Sequence, residues 1–407
     1  MTERLNAMKS LKNKTRFYLF FWWIALAWPL VAGGQNLQYS GYAKYLFSVS
    51  KYPFLKQRLS DHLLHVRLNS RYYFSDRWNA ALEARLRFYY GSSVEKIPNF
   101  KSGIKHHYPL RNLGLEFLSA ANHLGYAEID RAYLDYQGDF TEVTIGRQRI
   151  PWGTSLVWNV IDLFNPLSFL DFDYEEHPGA DALRAQYFTG PVSHLEWVVA
   201  PHPRLNNSTW ALMWATHKGE YDFYFLGGLK QRRRILGFAF SGYIGDAGLR
   251  GELKVSDAPQ KGLRSWANVF AGPLNRQNKA NVQAVLSFDY AFANSFYTHS
   301  EIYYNRDGLS DKTSGLYWNQ IQQVDMLSPA RWSLFQECAY DLSPLLRADV
   351  FLMLNPADHS LIWAPSLSWN ALTNLDVYLI GFLTHGDAFT TFGSMGKAGY
   401  LRFKYSF

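Results

Sequence analysis

Residues 64–90 read LHVRLNSRYYFSDRWNAALEARLRFYY, with apolar side chains at every second position in both halves of the stretch. In residues 64–74, Leu, Val, Leu, Ser, Tyr and Phe alternate with His, Arg, Asn and Arg. In residues 78–90, Trp, Ala, Leu and Phe alternate with Asn, Glu and Arg. A period of two places alternate side chains on opposite faces of a β-strand. The stretch is therefore predicted to form two strands, each with one apolar and one charged face.

The same alternation recurs far downstream, at residues 280–292, 346–354 and 400–407. No uncharged stretch after residue 34 approaches the roughly 20 residues of a transmembrane helix. Alternating strands of about ten residues with aromatic ends are the signature of an outer-membrane barrel, whereas the strands of a soluble sandwich are usually shorter. The least certain strands lie near 126–136 and 182–200, because Glu128, Asp130 and Arg131 break the alternation.

The connections between predicted strands alternate between short and long. Short ones fall at 75–77, 137–139, 190–192, 217–219, 245–246, 293–294, 343–344 and 371–374; long ones fall near 49–60, 91–124, 151–181, 201–207, 230–234, 256–278, 305–331, 355–360 and 384–396. Transmembrane barrels have short periplasmic turns and longer outer loops. The pattern predicts an all-β, antiparallel, up-and-down transmembrane barrel of about 18 strands, with 16 as the alternative.

The N-terminus has the features of a secretory signal peptide. Five basic residues precede an uncharged run at 17–32, and small residues follow at 32–34. The run of sixteen residues would rise only about 24 Å as a helix, which is less than the roughly 30 Å of bilayer hydrocarbon. We predict a signal peptide over residues 1–34, a barrel over residues 35–407, and export to a Gram-negative outer membrane.

Removal of residues 1–34 changes the charge of the chain. The whole sequence carries a net charge of +7, but the predicted signal peptide holds five basic residues and one acidic residue. The remaining 36 basic and 33 acidic residues give little support for a nucleic-acid-binding surface. We therefore expect no nucleic-acid partner, and we expect the apolar outer face to contact membrane lipid.

The last strand gives independent support for this class. Phe403, Tyr405 and the terminal Phe407 alternate with polar residues. This pattern resembles the assembly signal of outer-membrane proteins, and the resemblance implies delivery by the barrel-insertion machinery.

Barrels of 16 to 18 strands leave an aqueous channel, so function is expected in the lumen. Ring closure would gather a basic sector of Lys44, Arg67, Arg71, Arg85, Arg87, Arg402 and Lys404. An acidic sector of Asp289, Glu301, Glu337, Asp341, Asp349 and Asp376 would face it, with Arg347 as an exception. Opposed sectors would create a transverse field that discriminates among ions. Alternatively, these charges only solvate the lumen and pair with one another.

The long connection at 151–181 is rich in apolar residues, and we predict that it folds into the lumen as a constriction. Its residues near 157–164 suit a short helix that ends before Asn165-Pro166. The residues assigned to the constriction are Trp152, Asp162, Asn165, Asp171, Asp173, Glu175 and Glu176. We expect its acids to face the basic sector across the opening; alternatively, they lie on the outer surface or pair with Arg147 and Arg149.

One motif carries a family resemblance. Gly146-Arg147-Gln148-Arg149, then Trp152-Gly153, Asp162 and Asn165-Pro166, together resemble the alginate-export and related porin-like outer-membrane families. The resemblance covers about thirty residues directly. It implies passive or facilitated passage of a small polar solute, anionic solutes included, but it does not carry over the identity of the solute.

Two other classes remain open at this point. His299 and Glu301 share a strand face and could act as an acid–base pair in a barrel-embedded hydrolase, as could His65 on another strand. Large loops at 91–124, 256–278 and 305–331 could dock a secretion or envelope-assembly partner. No zinc, calcium or nucleotide motif has its required spacing, so no metal or cofactor is expected. The prediction is a porin-like channel without enzymatic activity, and a homo-oligomer is compatible with it.

Overall fold

The computed structural model describes residues 36–105, 110–164, 176, 178–257, 280–318 and 325–407. The predicted signal peptide over residues 1–34 lies outside these ranges. In the described ranges no helix is both long enough and apolar enough to cross a membrane. The described chain consists mainly of β-strands joined by turns and loops.

The strands are β1 (Leu37–Lys51), β2 (Leu59–Ser75), β3 (Trp78–Gly91), β4 (Gly114–Ser119), β5 (His123–Gln137), β6 (Thr141–Gln148), β7 (Ala180–Phe188), β8 (His194–Ala200), β9 (Thr209–Lys218), β10 (Tyr221–Lys230), β11 (Arg233–Ile244), β12 (Ala247–Asp257), β13 (Ala280–Ala291), β14 (Phe296–Asn305), β15 (Trp332–Ser343), β16 (Leu346–Asn355), β17 (Ser360–Leu372), β18 (Leu375–His385) and β19 (Lys397–Ser406). The helices are short: α1 (Ser92–Lys96), α2 (Phe100–Gly103), and 3-10 turns at Leu205–Asn207 and Gly393–Met395.

Eighteen of the nineteen described strands form one closed antiparallel ring. Each strand pairs with its neighbours in chain order, except that β3 pairs with β5, while β4 pairs with β5 alone and stays out of the ring. The ring closes where β19 pairs with β1 over ten residue pairs, from Tyr42 with Ser406 to Lys51 with Lys397. The prediction of an 18-stranded up-and-down barrel is confirmed.

The two faces of each strand differ as the period of two predicts. In β9, Trp210, Leu212 and Trp214 are 48%, 50% and 46% exposed, whereas the alternate residues Ala211 and Met213 are 3% and 5% exposed. The exposed apolar residues form the outer surface of the barrel, and the alternate residues point into the lumen.

The connections lie at two ends of the barrel. The turn end carries short connections such as residues 76–77, and the loop end carries long ones such as residues 306–331. The predicted long loops at 230–234 and 355–360 are wrong, because β10 and β11 are joined by two residues and β16 and β17 by four. Gln231 and Arg232 have φ angles of 52° and 65°, the backbone of a two-residue hairpin turn that normally uses Asn or Gly. The usual turn signal is therefore missing from this sequence.

The wall of the barrel is low between β6 and β8. These strands have 8, 9 and 7 residues, whereas β2 and β5 have 17 and 15. Because β6 ends early, the part of β5 nearest the loop end pairs with β4, from Gly114 with Glu128 to Ser119 with Leu124. At the end of β6 the chain leaves the wall and enters the barrel.

Ring closure extends to the last residue and requires Gly41. The Gly41 N–H donates to the Phe407 carbonyl at 2.9 Å, and the Phe407 N–H donates to the Gly41 carbonyl at 3.0 Å. A β-carbon at Gly41 would overlap the carbonyl oxygen of Arg67 and lie 2.8 Å from Cζ of the Phe407 ring. A side chain at this position would push β1 away from the last residue of β19.

We therefore expect Gly41→Val to destabilise the barrel by about 1–3 kcal/mol, the usual cost of overpacking. The measurement is the temperature at which the detergent-purified protein loses its heat-resistant, fast-migrating form on SDS gels. Gly399→Val on β19 is the matched control, because a β-carbon there has no heavy atom within 4 Å. Equal losses for the two variants would contradict this account of the closure.

Candidate functional site

Residues 150–164, here called the inward segment, lie inside the barrel. The segment packs in one apolar cluster with lumen-facing residues such as Met213 and Met353. Its buried apolar side chains are Ile150, Trp152, Trp158, Val160, Ile161 and Leu163. The Trp158 ring stacks on Tyr303 with a centroid distance of 5.6 Å and meets the edge of Phe335 at 6.4 Å. The inward segment therefore fills the part of the lumen bounded by the middle strands of the sequence.

Glu252, on β12, holds the backbone of the inward segment. Its Oε1 accepts the N–H groups of Thr154 at 2.5 Å and Ser155 at 2.9 Å, and its Oε2 accepts the N–H group of Ile161 at 3.1 Å. The carboxylate is buried at 3% exposure. Backbone N–H groups that are buried without an acceptor are costly, so this carboxylate replaces the acceptors that regular secondary structure would provide.

Glu301, on β14, holds the next turn of the segment in the same way. Its Oε1 accepts the N–H groups of Leu156 at 2.7 Å and Val157 at 3.0 Å, and its Oε2 accepts that of Trp158 at 3.0 Å. Together Glu252 and Glu301 take six backbone N–H groups from the segment. We call this pair of residues the carboxylate anchors.

The carboxylate anchors explain why the predicted helix near residues 157–164 is absent. The structure shows turns and bends over residues 150–164 and no helix in this described segment. The N–H groups that would bond to carbonyls four residues earlier are bonded to wall carboxylates. Apolar spacing alone suited a helix, but the long-range acceptors decided the backbone.

A third wall carboxylate, Glu196 on β8, binds a side chain of the segment. The Trp152 indole Nε1–H donates to Glu196 Oε1 at 2.8 Å. The same carboxylate accepts Arg184 Nε at 2.7 Å and the amide of Gln186 at 3.1 Å. Trp152, predicted as a constriction residue, is thus fixed against the wall at 2% exposure.

The other predicted constriction residues are placed only in part. Asp162 is buried, and its Oδ1 accepts the N–H of Phe164 at 3.0 Å in a local turn. Glu176 is half-buried, with Oε2 lying 3.1 Å from Nη1 of Arg67. The remaining four, Asn165, Asp171, Asp173 and Glu175, lie outside the described residues. That residues 151–181 as a whole narrow the lumen stays a prediction.

Across the lumen lies a buried group of paired charges, here called the charge network: Arg67, Glu83, Arg85, Glu128, Asp130, Arg131 and Glu176. Arg67 is its centre, with guanidinium nitrogens 2.9 Å from Asp130, 2.5 Å from Glu83 and 3.1 Å from Glu176. Arg85 pairs with Glu128 at 2.9 Å. Buried charges of this kind must be paired, so each arginine depends on its acids.

The acids of β3 and β5 in this network were missed by the sequence prediction of a basic sector. The pairing of β3 with β5 shifts between Glu83 and Ala84, where Asp130 is the extra residue of a β-bulge. A bulge changes the direction of side chains locally. The Asp130 carboxylate, which is fully buried, accepts a hydrogen bond from the Arg67 guanidinium. The interrupted alternation at 128–131 was the sequence signal of this bulge.

The rest of the predicted basic sector lines the same side of the lumen. Arg71 donates to the Tyr133 hydroxyl at 2.9 Å, and Arg87 donates to the Ile104 carbonyl at 2.7 Å. The ammonium groups of Lys44 and Lys404 lie 5.3 Å and 5.0 Å from the centre of the Tyr42 ring. Arg402 stacks over Tyr378 at 3.9 Å. The structure thus brings the seven basic residues to one side, among acids of β3 and β5 that the predicted basic sector did not include.

A cavity opens beside the charge network towards the turn end. Its volume is about 580 Å³. Its charged lining is Arg67, Arg71, Glu83, Arg131 and Glu176. Pockets of about 300–1,000 Å³ accommodate small-molecule ligands. This cavity gives a small polar solute charged groups of both signs to contact.

The predicted acidic sector is not a continuous acidic wall. Asp289 is paired with Arg250, and Asp341 lies 3.3 Å from Arg347. The other acids have separate surroundings: Asp349 accepts from Ser366 at 2.6 Å, Asp376 accepts from Asn370 at 3.0 Å, Glu337 lies 3.6 Å from His299, and Glu301 is covered by the inward segment. The separation of basic and acidic residues into two opposed sectors of the lumen stays a prediction. Glu301, which was assigned to the acidic sector, is one of the carboxylate anchors.

The proposed acid–base pair of His299 and Glu301 is closed off. Nε2 of His299 lies 3.1 Å from Oε1 of Glu301, and both side chains are at most 1% exposed. The carboxylate already accepts three N–H groups of the inward segment. This arrangement supports the anchor and offers a substrate no access. Within the described residues, no three His, Cys, Asp or Glu side chains are grouped so that they could hold a metal ion.

Asp325 joins a second loop to the lumen wall. Its carboxylate lies 2.8 Å from Lys230 and 3.0 Å from Lys254. Burial raises the pKa of Asp325, but the two ammonium groups more than offset this and hold the pKa below its usual value. An acid with a depressed pKa stabilises the fold above its unfolded pKa of about 3.9, and the contribution is lost as the pH falls below that value.

We expect Asp325→Asn to release this loop, because it leaves the buried ammonium of Lys254 without its carboxylate. Breaking a buried ion pair typically costs about 3–5 kcal/mol, so proteolytic cleavage within residues 306–318 or 325–331 should accelerate at least about ten-fold. The control is Asp311→Asn in the same loop, where the carboxylate is exposed and accepts locally from Thr313. Equal cleavage rates in the two variants would contradict the role of Asp325.

No protein-family model matches the sequence, and no curated protein matches it. Solved structures do match. The chain is similar to the outer membrane protein OpdK from Pseudomonas aeruginosa, with a TM-score of 0.55 and 11% identity over 92% of this chain and 99% of that chain.

The chain shares the fold of OpdK. It is also similar to OccAB2 from Acinetobacter baumannii, with a TM-score of 0.54 and 9% identity over 91% of this chain and 98% of that chain. OccK8 from Pseudomonas aeruginosa gives a TM-score of 0.53 and 9% identity over 92% and 98% of the two chains. At these identities the similarity concerns the fold. The resemblance to the alginate-export families receives no support from these comparisons.

Proposed function

We propose that this chain is an outer-membrane channel for passive or facilitated diffusion of small polar solutes, with a preference for anions. The observation that carries the proposal is the division of the lumen. The inward segment, fixed by the carboxylate anchors, fills one part. The charge network and its cavity of about 580 Å³ border the other. A large barrel narrowed by an inward loop is the architecture of a diffusion channel.

Several features support the membrane location. The outer surface is rich in exposed aromatic and aliphatic side chains, as a lipid-facing surface requires. On this proposal the loop end faces the outside of the cell and the turn end faces the periplasm. Phe403, Tyr405 and Phe407 end the last strand and would serve as the assembly signal for the barrel-insertion machinery. A homo-oligomer stays a prediction.

The proposed anion preference rests on the basic residues gathered on the network side of the lumen. The basic residues described there are Lys44, Arg67, Arg71, Arg85, Arg87, Arg131, Arg402 and Lys404. Of these, Arg67, Arg85 and Arg131 pair with Glu83, Glu128, Asp130 and Glu176. Basic side chains gathered beside a narrow aqueous passage favour anions.

The test is the reversal potential of the reconstituted protein under a salt gradient. We expect anion preference in the unmodified protein and a shift towards cations in Arg85→Ser/Arg87→Ser, because Glu128 then lacks the partner that lies 2.9 Å away. Arg77→Ser is the control, since Arg77 is an exposed residue in the turn between β2 and β3. A cation preference in the unmodified protein would contradict the proposal.

A further inference from the structure

An ion pair lies on the outward face of the low part of the wall. Arg147 on β6 and Asp181 on β7 are paired in register, and they lie two residues from the outward-facing Ile145 and Leu183. Arg147 Nε lies 2.8 Å from Asp181, and the arginine side chain is only 1% exposed. A charge pair in this position needs a cover, because hydrocarbon gives it no hydrogen bonds.

The cover is supplied by residues 110–113, here called the strap. Arg147 donates one hydrogen bond to the Arg111 carbonyl and another, at 3.0 Å, to the Ile129 carbonyl. The strap itself is fixed to the wall where the Ile129 N–H donates to the Leu113 carbonyl at 3.2 Å. The strap therefore overhangs the outer face at the point where β6 and β7 reach the loop end.

Between the strap and the outer wall lies an apolar groove of about 600 Å³. Its wall is a cross-strand row of Ile145, Leu183, Val199 and Trp210, which are paired in sequence from β6 to β9. Leu110 and Leu113 of the strap line the other side, and Trp197 packs beside Trp210 with centroids 6.2 Å apart. The groove has room for a long apolar group, and the ion pair beneath it is already satisfied.

The rim of the groove carries one exposed cation. Arg111 lines the groove, and no acidic side chain in the described part of the chain pairs with it. Exposed tryptophans such as Trp197 and Trp210 are typical of the level where hydrocarbon meets headgroups. A ligand that fits both features has an apolar tail and an anionic head.

We propose that this groove binds an acyl chain of an anionic membrane lipid, with Arg111 contacting the headgroup. This assignment rests on the proposed membrane location. The strap and the wall row would hold the tail, while the guanidinium selects the charge of the head. The lipid would cover the outer face at the point where the strands are shortest, and it is distinct from the solute in the lumen.

The test uses phosphatidylglycerol with a photoreactive diazirine in its acyl chain, incorporated as a minor component of phosphatidylcholine vesicles that contain the full-length protein. The same tail on phosphatidylcholine is the comparison probe. After illumination, labelled peptides are mapped by mass spectrometry. We expect labelling of β7 and β8 to exceed that of β16 and β17 on the opposite side of the ring, with the anionic probe favoured about five-fold, as for one basic residue at an anionic surface.

Three variants separate the parts of the proposal. Arg111→Gln should remove the preference for the anionic probe, whereas Arg204→Gln, which removes an exposed arginine from the loop between β8 and β9, should keep it. Val199→Trp fills the groove and should abolish the excess labelling with both probes. If an inserted barrel is labelled evenly on all sides, the groove does not bind the acyl chain. If both probes label the groove equally, the site does not select an anionic headgroup. Failure to insert into vesicles would instead overturn the proposed membrane function itself.

Discussion

Replacing both carboxylate anchors, in Glu252→Leu/Glu301→Leu, is expected to raise single-channel conductance at least about two-fold, because the inward segment can no longer stay in the lumen. The two anchors accept six backbone N–H groups from residues 154–161. Leucine accepts none of them, and each buried N–H left without a partner costs about 1–3 kcal/mol. The segment should therefore move to where water can satisfy its backbone, which widens the passage.

The measurement is the size and noise of single-channel steps in a planar bilayer. Circular dichroism and heat-resistant migration on SDS gels establish that the double variant still forms a barrel. Glu337→Leu is the matched control, since Glu337 also faces the lumen on β15 but contacts His299 and not the segment. An unchanged conductance in a folded double variant would show that the anchors do not set the width of the passage.

The second large effect is expected for Arg67→Met. This change keeps much of the side-chain volume but leaves Asp130, Glu83 and Glu176 without the cation they share. Removing one partner of a buried ion pair typically costs about 3–5 kcal/mol, and here three acids lose a partner at once. We expect a clear fall in the thermal unfolding temperature in detergent, and a reversal potential shifted towards cations.

A second substitution tests this explanation of the instability. Arg67→Met/Asp130→Leu removes both members of the most buried of the three pairs that Arg67 makes, so part of the lost stability should return. The corresponding exposed pair, Arg77 with Asp139, is the control, because Arg77→Met should change stability little. If the double variant were no more stable than Arg67→Met, the cost would not arise from uncompensated acids.

The strand count and the faces were predictable because a period of two is a local property. Strands such as β2 and β13 show which residues point inward without reference to any neighbour. The tight turn at residues 231–232 was missed because Gln231 and Arg232 adopt positive φ angles that usually call for Asn or Gly. The β-bulge at Asp130 was visible only as an interruption of the pattern.

The site was less predictable because its main contacts join distant parts of the chain. Glu301 is 144 residues from Val157, whose N–H it accepts, and no local pattern distinguishes such an acid from other lumen-facing acids. Similarly, the apolar spacing of the inward segment suited a helix, but six wall-bound N–H groups exclude one. The sequence pattern predicts for each strand residue whether its side chain points into the lumen. It does not predict which residue that side chain contacts, because the contacts across the lumen depend on how the ring closes.

The conductance of the unmodified full-length protein in a planar bilayer tests whether the inward segment leaves a solute passage beside the charge network. We predict discrete open steps in potassium chloride, with a reversal potential under a salt gradient that indicates preference for anions. A protein that inserts into the bilayer and remains silent would contradict it, because the lumen would then be closed.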